Sequence, residues 1–223
     1  YTDVTKAELE KNKADMINEY GIENLVKLSE KYAMKLIHYS TDYVYTGKNK
    51  TPIDETHTTN PLNYYGLSKR KGELIVQKSS SESIIIRTSW LYSSFGSNFV
   101  NTILQKAKKE KKINVINDQF GCPTYAKDLA IDTIKILKSN LKLDFDGKIY
   151  NYSNLGFTNW SEFAKQIIEI SNLKCKVNEV SSYSYKSTVD RPMFSITNKN
   201  KITKNFKLII PNWKKKLKNY LSK

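Results

Sequence analysis

Short apolar strands alternate with longer amphipathic helices along almost the whole chain, and this alternation is the feature that most constrains the fold. Periodicity predicts strands over 35–40, 83–90, 112–117 and 148–153, and helices over 6–32, 64–78, 98–110, 126–139, 160–171 and from about Pro211. Such alternation is typical of βαβ units and a parallel sheet. Sheets of this kind bind ligands at the carboxyl ends of their strands. The predicted fold class is therefore α/β, with a doubly wound parallel sheet.

The charge of the chain favours an anionic small ligand. Its formal net charge is +15, from 37 basic and 22 acidic residues. Three of the basic residues are arginines, so 37 − 3 leaves 34 lysines spread along the sequence. Because arginine is the residue that reads bases and phosphates with a planar fork, this composition argues against nucleic acid as the main ligand.

Other counts narrow the class of protein. Two isolated cysteines and two histidines predict no metal site, and the longest apolar runs are too short to cross a bilayer. We therefore expect a reduced, cytoplasmic protein without a membrane partner.

Tyr65 and Lys69 form the first candidate site. They lie four residues apart at the start of a predicted helix and so share one face. An ammonium beside a phenol favours the phenolate, so we expect Lys69 to lower the pKa of Tyr65 into the range of a working proton donor. About two such Tyr-x-x-x-Lys pairs are expected by chance in a chain of this composition, so a solvated surface pair is an equal alternative on this motif alone.

A second candidate is the run Ser40-Thr41-Asp42 at the end of the predicted strand KLIHYS. Hydroxyls at the carboxyl end of a parallel strand can polarise a carbonyl group, since they both donate and accept hydrogen bonds. The alternative is a turn formed by small polar residues, and the motif by itself favours that interpretation.

The order of these motifs resembles the extended short-chain dehydrogenases and, among them, the dTDP-4-dehydrorhamnose reductase family. The resemblance rests on STDYVYTG, YYGLSKRKGE, RTSWLYSSFGSNFV and INVINDQFGCPTYAKDLA, with YTDVTKAE at the start and DRPMFSITNKNK and PNWKKKL in the tail. It runs from Tyr1 nearly to Lys223. It implies a Rossmann-like sheet with a small C-terminal α/β substrate lobe. The implied division is 1–97 for the nucleotide-binding part, 98–125 for an excursion into the lobe, 126–154 for the return to the sheet and 155–223 for the lobe.

The resemblance also implies roles for individual residues. Thr41 matches the catalytic threonine, Tyr65 the proton donor and Lys69 the lysine that also holds the nicotinamide ribose. Tyr1 falls near the cofactor. The positions implied for substrate binding are Val4, Thr41, Trp90, Asn98, Gln119 and Arg191. Core packing is an equal alternative for Trp90, and a surface pair with Asp190 is the alternative for Arg191.

The sequence departs from the family pattern at the cofactor loop. Its eight glycines include no Gly-x-Gly, so the dinucleotide fingerprint is absent. Roughly 60 further residues are expected upstream, by the size of a βαβαβ half-fold. The sheet is thus expected to be incomplete at its N-terminal side, and the 223 residues to bind a dinucleotide poorly and to lack activity alone. Thr5 and Thr46 stand where the family has Asp, away from the proposed chemistry.

The expected activity is reduction of the 4-keto group of dTDP-4-dehydro-6-deoxy-L-mannose with NADPH or NADH, in nucleotide-sugar biosynthesis for surface polysaccharide. The expected partners are the nucleotide-sugar substrate and a second copy of the chain in a homodimer. One alternative is an NAD-dependent sugar-nucleotide epimerase or dehydratase, although no Glu follows Asp42 as a dehydratase would require. The other is a non-catalytic binding protein of the same fold, of the methionine adenosyltransferase regulatory-subunit type.

Overall fold

The computed structural model describes residues 1–139, 149–185 and 187–222. The helices in chain order are α1 (Lys11–Asp15), α2 (Gly21–Lys31), α3 (Tyr64–Lys78), α4 (Phe99–Lys109), α5 (Ala126–Lys138), α6 (Trp160–Ile170), α7 (Asn200–Phe206) and α8 (Trp213–Leu221). The strands are β1 (Leu36–Thr41), β2 (Ser83–Thr88), β3 (Leu91–Tyr92), β4 (Lys112–Ile116), β5 (Phe120–Gly121), β6 (Thr124–Tyr125), β7 (Ile149–Tyr152), β8 (Thr158–Asn159) and β9 (Lys176–Val180). A π-helical turn, Met16–Tyr20, joins α1 to α2.

The central sheet is parallel, in the order β1-β2-β7, and both of its faces are covered. Ile84 and Ile86 of β2 pack with residues of α5 and α7 on one face, while Ile85 packs with α2 and α3 on the other. Alternate side chains of a strand point to opposite faces, so this division makes β2 a strand buried on both sides. The doubly wound α/β class predicted from the sequence is confirmed.

A second core holds the lobe that carries β4 and β9. These strands pair in parallel over 112–116 and 176–180; α4 and α6 pack on them, and α8 packs against α6. The centre of this core is Phe163 of α6, which is fully buried among aromatic side chains. The four-part division of the chain predicted from the sequence is not tested by these contacts.

Asparagine side chains begin four of the helices. The side-chain oxygens of Asn63, Asn98, Asn159 and Asn212 each accept a hydrogen bond from a backbone N–H in the first turn of α3, α4, α6 and α8. An N-cap of this kind satisfies one of the N–H groups that a helix start leaves unpaired. In α6 the N–H that donates to Asn159 is that of Glu162, at 2.8 Å.

The tail departs from the sequence prediction in two places. No strand was predicted after residue 153, but β9 pairs with β4 along five residues. The polar run around Asn198 to Asn205 contains α7, which places Ile202 in the core of the central sheet. Both elements are short and mostly polar, so periodicity gives them little signal. Within the described ranges, no helix is both long and apolar enough to span a bilayer.

Candidate active site

Thr41 is the last residue of β1 and lies where a 3₁₀ turn, Asp42–Val44, begins. Its backbone is extended, and its hydroxyl accepts a hydrogen bond from the N–H of Tyr43 at 3.2 Å. The same hydroxyl donates to Oδ1 of Asp42 at 3.1 Å. Both interpretations of the Ser-Thr-Asp run therefore apply, because Thr41 caps a turn at the carboxyl end of a parallel strand.

The start of α3 is pressed against this turn, and that contact brings Tyr65 to Thr41. Gly66 makes the close approach possible, since a Cβ there would lie 2.3 Å from the carbonyl oxygen of Tyr43. The ring of Tyr65 meets that of Tyr43 edge to face, with centroids 5.7 Å apart. A hydrogen bond joins the Tyr65 hydroxyl to Thr41. The structure thus brings two of the sequence-predicted catalytic residues together.

The protonation of Tyr65 differs from the sequence expectation. Burial raises its pKa well above the ordinary value, the nearby Asp42 adds to that rise, and the hydrogen bond with Thr41 offsets it only in part. Lys69 contributes no lowering, because its ammonium donates to the carbonyl oxygen of Tyr39 at 2.6 Å. The expected lowering of the Tyr65 pKa by Lys69 is therefore wrong for this arrangement, and Tyr65 is a neutral phenol at neutral pH.

The ammonium of Lys69 has N–H donors that no described protein group accepts. Burial lowers its pKa to about 8, against the opposing effect of Glu73, so the side chain stays largely charged at neutral pH. An ammonium carries three N–H donors, and the carbonyl of Tyr39 takes one. The ribose contact that the resemblance implies for Lys69 stays a prediction.

Tyr1 lies beside the same helix. Its carbonyl oxygen accepts a hydrogen bond from the amide of Asn18 at 3.0 Å, and this amide also donates to the Ser68 hydroxyl of α3. Asn18 thus connects Tyr1 to Ser68, the residue that precedes Lys69 in α3. This placement is compatible with a cofactor contact but does not test one.

A cleft of about 710 Å³ opens between the lobe and the N-terminal segment. Its walls include the aromatic rings of Phe99 and Trp160 and two cationic side chains, Lys106 and Arg191. Gln119, a sequence-predicted residue, also lines it. Apolar walls with a few convergent polar groups are typical of small-molecule sites, and the two cations favour an anionic ligand.

Arg191 connects this cleft to the turn that follows Thr41, Asp42–Val44. Its guanidinium donates to the Tyr43 hydroxyl at 3.2 Å and to the Thr5 hydroxyl at 3.3 Å. Because Tyr43 contacts Tyr65, the guanidinium lies one side chain away from the proposed proton donor. Among the described residues it forms no ion pair with a carboxylate, so the alternative of a surface pair with Asp190 is wrong.

Trp90 takes part in an aromatic stack. Its indole lies parallel to that of Trp160, with centroids 3.4 Å apart, and a Cβ on Gly121 would lie 2.4 Å from it. The backbone of Trp90 has a φ of 46°. A left-handed conformation is costly for a bulky residue, and such strain is concentrated at functional sites. Trp90 is thus held behind Trp160, which forms the cleft wall itself.

Asn98 and Val4 do not line the cleft themselves, but each is next to a residue that does. The oxygen of the Asn98 side chain accepts from the N–H of Asn101, and its amide donates to the carbonyl of Ser93. Asn98 therefore works as a helix cap, while its neighbour Phe99 lines the cleft. Val4 is half-buried and precedes Thr5, which borders the cleft. The roles predicted for both residues stay predictions.

Asp42 was considered only within the Ser-Thr-Asp run and in the dehydratase alternative. Four other residues of the site were not singled out from the sequence: Lys106, Phe99, Trp160 and Glu73. Asp42 is buried, and burial raises its pKa to about 6 despite hydrogen bonds from neighbouring hydroxyls. Its position directly after Thr41 was the one sequence feature that could have indicated a place in the site. Phe99 and Trp160 come from different helices, and no sequence pattern shows that their rings meet.

A doubly wound sheet with Thr41, Tyr65 and Lys69 at the carboxyl end of β1 defines an extended short-chain dehydrogenase/reductase. The family model described as RmlD substrate binding domain matches residues 1–223. The chain is 36% identical over 228 residues to dTDP-4-dehydrorhamnose reductase of Escherichia coli K12, covering 100% of this chain and 76% of that protein. It belongs to the dTDP-4-dehydrorhamnose reductase family.

Further relatives agree. The dTDP-4-dehydrorhamnose reductase of Sinorhizobium fredii is 36% identical over 220 residues, which cover 96% of this chain and 74% of the relative. A crystal structure of the Bacillus anthracis enzyme in complex with NADP superposes with a TM-score of 0.94 at 37% identity, over 100% of this chain and 77% of that one. The chain thus spans about three quarters of the length of these relatives.

Proposed function

We propose that the protein to which this chain belongs carries out the NAD(P)H-dependent reduction of the 4-keto group of dTDP-4-dehydro-6-deoxy-L-mannose, in dTDP-rhamnose biosynthesis. The observation that carries the proposal is the contact of Tyr65 with Thr41 at the end of β1, next to a cationic cleft. The relatives that cover most of the chain are named for the same reduction. This activity makes the chain an oxidoreductase with a nucleotide-sugar substrate.

Tyr65 is proposed to protonate the substrate oxygen. Reduction of a ketone turns its oxygen into an alkoxide, which needs a proton from a nearby acid. Because burial keeps Tyr65 protonated, the phenol is in the form that donates. Thr41 shares a hydrogen bond with the Tyr65 hydroxyl and so holds that hydroxyl in place. To donate to the substrate oxygen as well, the single hydroxyl proton of Thr41 would have to leave Oδ1 of Asp42.

Lys69 is proposed to hold the cofactor ribose with its free N–H donors. Its ammonium donates to the carbonyl of Tyr39 and does not lower the pKa of Tyr65, so stabilising the phenolate that Tyr65 leaves behind would require Lys69 to move toward it. A bound nicotinamide supplies the hydride that adds to the keto carbon. Tyr1 is proposed to border the same cofactor.

The nucleotide half of the substrate is proposed to lie in the cleft. Arg191 and Lys106 suit a diphosphate, and the rings of Phe99 and Trp160 offer apolar surfaces for a base or sugar. Gln119 adds an amide that can donate to oxygen. Trp90 and Val4 are proposed to border the deoxysugar, and Asn98 to act through the helix start that it caps.

Net consumption of the cofactor tests this function. The protein expressed from its natural gene is expected to oxidise one NAD(P)H for each dTDP-4-keto-6-deoxy sugar reduced, as followed by nicotinamide absorbance and product analysis. An epimerase or dehydratase returns its hydride, so turnover of the sugar nucleotide without net oxidation would contradict the proposal. Binding without turnover would favour the regulatory-protein alternative.

Replacing Arg191 by Lys is expected to raise KM for the nucleotide sugar at least tenfold, while KM for NAD(P)H stays unchanged. Lys keeps the charge but cannot grip a phosphate with two parallel hydrogen bonds, and charge-assisted bonds of this kind contribute about 1.5–3 kcal/mol. Steady-state kinetics with each substrate varied in turn measures both constants. Equal increases in the two KM values would mean that Arg191 supports the fold rather than the diphosphate.

Cellular location and assembly are also proposals. A reaction that uses a nicotinamide cofactor and a nucleotide sugar belongs where both are made, so we propose a cytoplasmic location. A homodimer is proposed as the assembly. Cell fractionation and light scattering of the natural protein test the two statements separately.

A further inference from the structure

Glu73 and Arg87 form an ion pair that is sealed from solvent. Glu73 of α3 has no exposed surface, and Arg87 of β2 is 1% exposed. The Nε and Nη2 atoms of Arg87 donate to the two carboxylate oxygens at 2.8 and 2.7 Å, and Arg70 adds a third donor at 2.9 Å. Burying two charges is costly, so a pair retained with this geometry points to a role beyond stability.

Arg87 lies next to the last residue of β2, near the carboxyl ends of the three strands. It lies in register between Ser40 of β1 and Asn151 of β7. Its Nη1 atom donates to the Tyr45 hydroxyl at 2.8 Å, and this hydroxyl donates to Asn151 at 3.1 Å. The hydrogen bonds of the pair therefore join α3, β2, β7 and the segment after Thr41.

Glu73 also faces Lys69. The two residues are four apart on α3, and the carboxylate raises the pKa of Lys69 against the lowering by burial. From β1, His38 and the carbonyl of Tyr39 face the same ammonium. Burial and Lys69 lower the pKa of His38 to about 3, so this ring is neutral. Of these described neighbours, Glu73 alone is negatively charged.

We propose that Glu73 is a positioning residue of the reductase site: anchored by Arg87, it fixes the depth of α3 on the sheet and supplies the negative charge that keeps Lys69 in its ammonium form. The proposal rests on the function proposed above, because it concerns the lysine assigned to the cofactor ribose. Glu73 acts through Lys69 and touches neither the substrate nor the reacting atoms.

The test measures the reactivity of Lys69 itself. Acetic anhydride acetylates only the deprotonated amine, and mass spectrometry of peptides gives a rate for each lysine at each pH. In the double variant Glu73→Gln with Arg87→Met, the midpoint for Lys69 is expected to fall by about one pH unit, the usual effect of losing a neighbouring opposite charge. At pH 6 its acetylation is then about tenfold faster. Loss of the positive charge of Arg87 alone would raise the pKa of Lys69 and slow its acetylation. A faster rate in the double variant therefore comes from the loss of Glu73.

Two controls separate this effect from general loosening of the fold. Lys71 pairs with Asp15 and Glu19 and should keep its rate in the double variant. Asp132→Asn changes another buried carboxylate, hydrogen-bonded by Tyr152 on the far face of the sheet, and should leave Lys69 unchanged. A Lys69 rate in the double variant no faster than in Arg87→Met alone, or an equal rise in Asp132→Asn, would overturn the proposal.

A milder variant covers the case in which the double variant does not fold. Glu73→Asp keeps the charge but moves it by one methylene, so Lys69 should acetylate faster than in the native chain by a smaller factor. A native rate in that variant would overturn the proposal. Acetylation needs neither dinucleotide nor sugar, so this result stands apart from the assay of cofactor oxidation, which alone decides the proposed function.

Discussion

Replacing Tyr65 by Phe is expected to lower kcat for ketone reduction by about 10²–10⁴-fold, the usual contribution of a positioned general acid. The change removes one oxygen and leaves the ring, its contact with Tyr43 and the helix start in place. Substrate binding should therefore change little, so kcat and kcat/KM should fall together. Steady-state kinetics of the natural protein, with nicotinamide absorbance as the readout, measures both.

Tyr64→Phe is the matched control for this prediction. Its hydroxyl donates to Asp15 at 2.6 Å, on the side of α3 that faces the N-terminal helices. This substitution removes the same atom from the neighbouring residue, so it should leave kcat within about threefold of the native value. A Tyr65→Phe variant that also keeps the native kcat would contradict the role of proton donor and favour a binding protein.

A residue of the site could be predicted from the sequence when its place in a single strand or helix determines where it lies. Thr41 ends a strand, so the parallel arrangement predicts that it lies at the ligand edge of the sheet. Tyr65 and Lys69 share a helix face because they are four residues apart. The structure confirms both placements, with Thr41 last in β1 and Tyr65 in the first turn of α3.

What the sequence could not predict is set by contacts between distant elements. The direction of Lys69 is decided by a backbone carbonyl of β1, and the protonation of Tyr65 by how deeply α3 packs against the turn after Thr41. The cleft brings together residues far apart in the chain, from Thr5 to Arg191. Local periodicity carries no information about such contacts.

The cationic character of the site was predictable only in outline. A composition with 34 lysines favours an anionic ligand but does not say where that ligand lies. Arg191 was singled out by the resemblance, and its contacts with Tyr43 and Thr5 place it at the cleft. Lys106 sits within a basic amphipathic helix, where any of several lysines could have faced the cleft.

The lobe that forms the cleft depends on one aromatic side chain, and Phe163→Ala is expected to lower the free energy of unfolding by about 3–5 kcal/mol. Phe163 is fully buried, and its ring lies 5.5–5.6 Å from those of Trp213 and Phe99. Truncation leaves a cavity that these large rings cannot fill without moving. Urea unfolding of the 223-residue chain, followed by tryptophan fluorescence, measures the loss.

Phe157→Ala is the matched control, since this ring is 61% exposed and its removal should change stability by no more than about 0.5 kcal/mol. Because Phe99 and Trp160 form the cleft walls and pack against Phe163, the Ala variant should also bind dTDP more weakly in calorimetry at temperatures where it stays folded. A loss of stability with unchanged dTDP affinity would mean that the cleft walls are held without Phe163. A loss below about 1 kcal/mol would mean that the lobe is not organised around this ring, since so small a cost requires the cavity to close by rearrangement.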